Sequence, residues 1–141
     1  PVLYGGEVGP DLPFVAKYNG LTEEEVIHLH SNTVYRIYMV GFVPGFPYLG
    51  GLNPLIHTPR LNTPRLKVPG GSVGIAGEQT GIYPMTTPGG WRIIGHSPLP
   101  LFQIENEQQP TRLQAGEYVK FIPITKEEYH DMKQNKVVTI S

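Results

Sequence analysis

Glycine and proline punctuate this chain so densely that its middle has no room for a long helix or an unbroken strand. Residues 41–100 carry 12 of the 17 glycines and 10 of the 15 prolines. Glycine takes backbone angles that other residues avoid, while proline fixes φ and lacks an N–H. A flexible linker would be poor in aromatics and rich in Ser, Gln or charge. This stretch instead holds Phe42, Phe46, Tyr48, Arg60, Arg65, Tyr83, Trp91 and Arg92 at irregular, specific places. It is confined to short strands joined by stiffened loops, and those loops are where a recognition surface is to be sought.

Local signals fill in the elements. The run DLPFVAKYNG from Asp11 reads as a helix, with Gly20 suited to its C-terminal cap. Thr22 and Glu25 form a capping-box pattern that opens TEEEVIHLHSN. Residues 33–40, TVYRIYMV, are β-branched and aromatic and predict a strand, with Val34, Arg36, Tyr38 and Val40 on one face and Tyr35, Ile37 and Met39 on the other. Shorter strands are predicted at SVGIA (72–76), GIYP (81–84), WRIIG (91–95) and YVKFIPI (118–124). The segment around Pro44, Phe46 and Tyr48 is too interrupted for a regular strand. Thr125 and Glu128 form a second capping box before TKEEYHDMKQN, and KVVTI (136–140) reads as a last strand or a frayed tail. Many short strands with Gly/Pro connections predict a mainly β sandwich or barrel, with short helices near both ends.

Composition narrows the function. With 11 basic and 12 acidic residues the formal net charge is −1, which argues against a nucleic-acid-binding surface. Charge is uneven, because residues 41–100 hold four bases and the single acid Glu78. There are no cysteines, so disulfides and thiolate chemistry are excluded, and a cytoplasmic setting is the expectation. No apolar run approaches the ~20 residues that span a bilayer. One domain covering residues 1–141 is expected, and the opening PVLYGGE without Met reads as a domain of a longer protein.

Catalytic signatures are thin. Gly70-Gly71-Ser72-Val73-Gly74 matches G-x-S-x-G, but an elbow needs a helix after the serine and a buried carboxylate for its histidine. Here a strand-like segment follows, and no Asp lies between residues 12 and 130. His28, His30, His57, His96 and His130 lack the spacing of a metal site. No Walker loop or G-x-G-x-x-G is present. Thr58-Pro59-Arg60-Leu61 is echoed by Thr63-Pro64-Arg65-Leu66, which launches two arginines from stiffened backbone. Each guanidinium either grips a carboxylate or ties loop carbonyls together inside the fold. Phe42, Phe46, Tyr48, Tyr83 and Trp91 are either barrel core or rigid recognition groups.

The segments GFVPGFPYLGGL, TPRLNTPRLKVPGGSVGIAGEQTGIYP and TPGGWRIIGHSPLPLF resemble the allophanate hydrolase subunit 1 family, and the likeness extends over nearly the whole chain. That family includes KipI-type proteins and the B subunit of bacterial 5-oxoprolinase. The resemblance implies a cyclophilin-like closed β-barrel that forms the C-terminal domain of the longer protein. It implies two roles. The first is inhibition of a sporulation sensor histidine kinase, by docking on its dimerisation domain, countered by KipA. The second is service as the B subunit of an ATP-dependent 5-oxoprolinase beside its A and C subunits, the latter a KipA homologue. The first is the leading expectation and the second its alternative. The residues expected at the partner or ligand surface are Phe42, Pro44, Phe46, Tyr48, Arg60, Arg65, Gln79, Tyr83 and Trp91. No cofactor is expected in this domain, ATP being used by the assembled complex, and neither nucleic acid nor membrane is an expected partner.

Overall fold

The computed structural model describes residues 1–39, 47–98 and 116–140. Its strands are β1 (Leu3–Tyr4), β2 (Tyr35–Met39), β3 (Pro47–Gly50), β4 (Arg65–Val68), β5 (Ser72–Ala76), β6 (Gln79–Ile82), β7 (Thr87–Gly89), β8 (Arg92–His96) and β9 (Tyr118–Val119). Its helices are α1 (Leu12–Tyr18), α2 (Glu23–Ser31) and α3 (Lys126–Ile140).

Seven strands form one antiparallel sheet in the order β1-β8-β5-β6-β3-β2-β9, while β4 and β7 pair as a separate ribbon. The large sheet curls until its two edges meet. Beyond β9, Val2 donates its N–H to Ile122 O at 2.9 Å, and Ile124 returns an N–H to Val2 O at 3.0 Å. That contact closes the barrel, as a mainly β chain must do to leave no open edge.

Alternation along the strands assigns the two faces. Tyr35 and Ile37 of β2 are buried, and Val34 and Tyr38 are exposed, as the period-two pattern predicts. The inward residues Ile37, Leu49, Val73, Ile75, Ile82 and Ile94 share one core with Leu12, Val15 and Ala16 of α1 and Val26 of α2. Neither helix is long enough to be stable alone, so this shared burial holds them. A second apolar cluster of Val68, Ala76, Tyr83, Trp91 and Ile93, with Tyr48 against it, lies on the opposite face of the same strands.

Helix boundaries follow their caps. Thr22 accepts the Glu25 N–H and Glu25 accepts the Thr22 N–H, and the same reciprocal pair joins Thr125 and Glu128. Gly20 has φ +69°, and the chain leaves α1 there with Leu21 N–H on Ala16 O. Two expectations are corrected. Residues 136–140 continue α3 rather than forming a strand, because extending a nucleated helix costs far less than starting a new element. The segment at Tyr48 does form a strand, with Pro47 as its first residue, the place where a missing N–H is tolerated.

A candidate ligand shelf on the outer barrel wall

The second cluster owes its shape to side chains that are absent. Across the outer face the register aligns Tyr38 with Tyr48, Tyr48 with Gly81, Gly81 with Gly74, and Gly74 with Ile93. The two glycines leave a trough between Tyr48 and Ile93. A Cβ at Gly74 would meet Trp91 Cβ at 3.2 Å, so Trp91 lies directly against this bare backbone. Tyr48 tilts against Trp91 at 5.6 Å between ring centroids. Tyr83 meets the same ring edge-on at 6.5 Å. Both Trp91 and Tyr83 are 2% exposed. The Tyr83 ring is also wedged beneath Gly89 of β7, where any Cβ would overlap its hydroxyl.

Arg60 lies over this assembly, its guanidinium carbon 5.9 Å from the Trp91 ring centre. Its proximity shows in the phenols. Burial pushes the Tyr48 and Tyr83 hydroxyls up from their ordinary value, and the nearby Arg60 charge opposes that rise. The Trp91 backbone amide, bonded to the Tyr83 hydroxyl, opposes it further. Gln79 begins β6 on the same outer face as Gly81 and is exposed. The structure therefore brings Tyr48, Arg60, Tyr83 and Trp91 into contact distance and places Gln79 on the same wall. Phe42, Pro44 and Phe46 lie outside the described residues.

Arg65 has a different employment. Its Nη1 and Nη2 hold Asp11 Oδ2 and Oδ1 at 2.6 and 2.9 Å, and Asp11 Oδ2 also accepts the Ile93 N–H at 2.7 Å. Hydrogen bonding to Asp11 raises the Arg65 pKa, against a smaller opposing effect of burial. Asp11 stands at the N-cap of α1 without bonding a helix amide. Its carboxylate instead joins α1, β4 and β8. Sequence reading saw Asp11 only as a helix opener. The available signal was that no other aspartate precedes Asp131, which marked Asp11 as one candidate partner for a half-buried arginine.

A second polar feature escaped sequence reading. Tyr4 Oη stands 2.7 Å from His30 Nδ1, His30 Nε2 is 2.9 Å from Thr80 Oγ1, and Thr80 donates to Gly74 O at 2.7 Å. The Thr80 proton is committed to a carbonyl, so Thr80 accepts from His30 Nε2–H and His30 Nδ1 accepts from Tyr4. The chain is fully directional and keeps His30 neutral. Burial pushes its pKa down to about 3.

Other chemistry finds little support. Ser72 is buried and opens a strand rather than preceding a helix. Its cross-strand neighbour His96 places Nε2 on Gly70 O at 2.8 Å and Nδ1 near Tyr129 Oη at 2.9 Å. Among the described residues no group of three or more His, Cys, Asp or Glu is placed to hold a metal ion, and no helix is long and apolar enough to cross a membrane. A cavity of about 330 Å³ lined by Tyr4, Glu7, Lys126, Tyr129 and His130 is remote in sequence from every expected site residue.

The described residues form a mainly β barrel with Arg60 and the rings of Tyr48, Tyr83 and Trp91 gathered on its outer wall. The chain belongs to the family described as carboxyltransferase domain, subdomain C and D, whose profile matches residues 1–113. It is 56% identical over 134 residues to the 5-oxoprolinase B subunit of Bacillus subtilis (strain 168), covering 95% of this chain and 55% of that protein. It is 58% identical over 122 residues to the 5-oxoprolinase B subunit of Haemophilus influenzae, covering 86% of this chain and 57% of that protein. The chain thus spans little more than half the length of these relatives. Among solved structures it resembles the conserved uncharacterized protein PH0987 from Pyrococcus horikoshii, with TM-score 0.87 and 57% identity, covering 92% of this chain and 59% of that one. These likenesses support the family and barrel read from the sequence.

Proposed function

We propose that this chain is the barrel domain of the B subunit of an ATP-dependent 5-oxoprolinase, acting with the A and C subunits to convert 5-oxo-L-proline to L-glutamate. The observation that carries this reading is identity of 56% and 58% to two proteins of that name over nearly the whole chain. The outer shelf supports it physically. It supplies a guanidinium beside aromatic rings, which suits a small carboxylate, but no nucleophile. It therefore contributes to a ligand site that a partner protein completes. Among the described residues the shelf offers one guanidinium and no glycine-rich phosphate loop, a small set for a triphosphate, and ATP is proposed to bind elsewhere in the complex.

The kinase-inhibitor reading, first in rank from sequence, takes second place. It leaned on the aromatic-proline loop around Phe46 and Tyr48 with the barrel's groove; Phe46 lies outside the described residues, Tyr48 belongs to β3, and neither of these relatives carries that description. The test is reconstitution. The protein co-expressed with the A and C subunits is expected to co-purify with them and to form glutamate only when both ATP and 5-oxo-L-proline are supplied. Undiminished turnover by the A and C subunits alone would sink the assignment.

A further inference from the structure

We infer that Arg60 is the carboxylate grip of the outer shelf, and that the shelf takes a small organic monocarboxylate through the free edge of that guanidinium. The identity of that acid as 5-oxoproline rests on the function proposed above. The grip itself rests on geometry.

The backbone around Arg60 is fixed on both sides. Thr58 exchanges two backbone hydrogen bonds with Gly77, at 3.2 and 2.7 Å. Arg92 Nε holds Pro59 O at 2.9 Å, and Leu61 donates its N–H to Gly90 O at 2.7 Å. Farther along, the Arg65–Asp11 pair anchors the same segment. The eight-residue run 58–65 is pinned at four places. Arg60 is the long side chain it leaves exposed over the shelf.

Of the other arginines of the described residues, Arg65 and Arg92 are committed to hydrogen bonds, and Arg36 is set against a different ring. Arg65 is spent on Asp11. Arg92 is bonded to Pro59 and lies over Phe14 at 3.7 Å. Arg36 lies over Tyr38 at 5.6 Å on β2. Arg60 makes no ion pair among the described residues. Its guanidinium carbon lies 5.9 Å from the Trp91 ring centre, a cation–π distance that consumes none of its N–H donors. Those five donors form the planar fork that matches a carboxylate. Cation–π contact with a ring packed against Gly74 also limits the side-chain freedom that ligand binding would otherwise remove. Glu78 is the only acid between residues 41 and 100, so an incoming anion meets little repulsion from this stretch.

Trp91 is the only tryptophan and therefore reports on the site. Its fluorescence is to be titrated in this chain with 5-oxo-L-proline, with acetate, and with 2-pyrrolidinone, which has the same ring without the carboxylate. A saturable response to a carboxylate but not to 2-pyrrolidinone is expected, weakened at least tenfold by Arg60→Gln and less by Arg60→Lys. Circular dichroism of the exposed-site variants checks that they remain folded. An unchanged affinity in Arg60→Gln, an equal response to 2-pyrrolidinone, or no saturable response by the wild type would each overturn the grip. The Arg60→Gln protein is then assembled with the A and C subunits, where a rise of at least tenfold in KM for 5-oxoproline is expected. Unchanged KM with turnover intact would refute the grip and leave the proposed function standing. Acetate binding through Arg60 without any 5-oxoproline binding or turnover would keep the grip and refute that function.

Discussion

His30 is fully buried, stacks on Phe121 at 4.7 Å, and uses both ring nitrogens for hydrogen bonds. The titratable groups around it are the phenols of Tyr4 and Tyr35, both raised chiefly by burial, Tyr35 to about 12. With no acid among those contacts to stabilise an imidazolium, burial lowers its pKa to about 3, against about 6.5 in an unfolded chain. Because the unfolded state binds the proton more tightly, stability contributed by neutral His30 is present above pH ~6.5 and is lost as pH falls towards 3. The slope is about 1.4 kcal/mol per pH unit within that window. Urea denaturation of the wild type and of His30→Gln at pH 7, 5.5 and 4.5 isolates this term. The variant should start less stable and should lack that part of the slope. Parallel pH curves for the two proteins would mean that His30 does not titrate as its surroundings require.

At the scale of elements, the β4–β7 ribbon and the 58–66 segment serve the shelf rather than the core. Gly89 is one of the few glycines whose replacement bears on the site directly, because Tyr83 occupies the space its side chain would need. Gly89→Ala must displace the Tyr83 ring or the ribbon above it. The expected outcome is altered Trp91 fluorescence and a several-fold loss of carboxylate affinity, with barrel stability reduced by only about 1–3 kcal/mol. Asp11→Ala acts on the same elements from the other end. It leaves Arg65 and the Ile93 N–H without their acceptor, and a cost of about 1–3 kcal/mol in chemical denaturation is expected. Because Arg65 is partly exposed, water offsets part of the loss. Two of these features were legible in the sequence as types. The Thr-Pro-Arg-Leu echo announced stiffened arginines, and the dense glycines announced close packing. Their roles were not legible, since identical tetrapeptides at 58–61 and 63–66 deliver one arginine to a shelf and the other to a salt bridge. The strand at Tyr48 was missed because Pro47 and its neighbours break local propensity, while pairing to β2 and β6 on both sides overrides it.

For the molecule as a whole, Val2 carries the closing hydrogen bonds seen among the described residues. Val2 joins the two edges of the sheet through its N–H and its carbonyl and is itself 1% exposed in the core. Val2→Pro removes the donor to Ile122 and the buried branched side chain together, so it should lower stability by about 3 kcal/mol or more. Hydrogen exchange should then rise along β1 and the 121–124 segment before it rises in β5 and β6. A uniform change across all strands would argue that the barrel opens elsewhere first. Features that depend on neighbours a few residues apart are legible without the fold. They include both capping boxes, the glycine stop of α1, the alternation of β2, and the confinement of the middle to short strands. Which arginine is left exposed and which aromatics meet is set by the folded chain. Those outcomes depend on partners far apart in the chain, such as Asp11 and Arg65 at a separation of 54 residues. No local preference encodes a contact that exists only once the sheet has curled and closed.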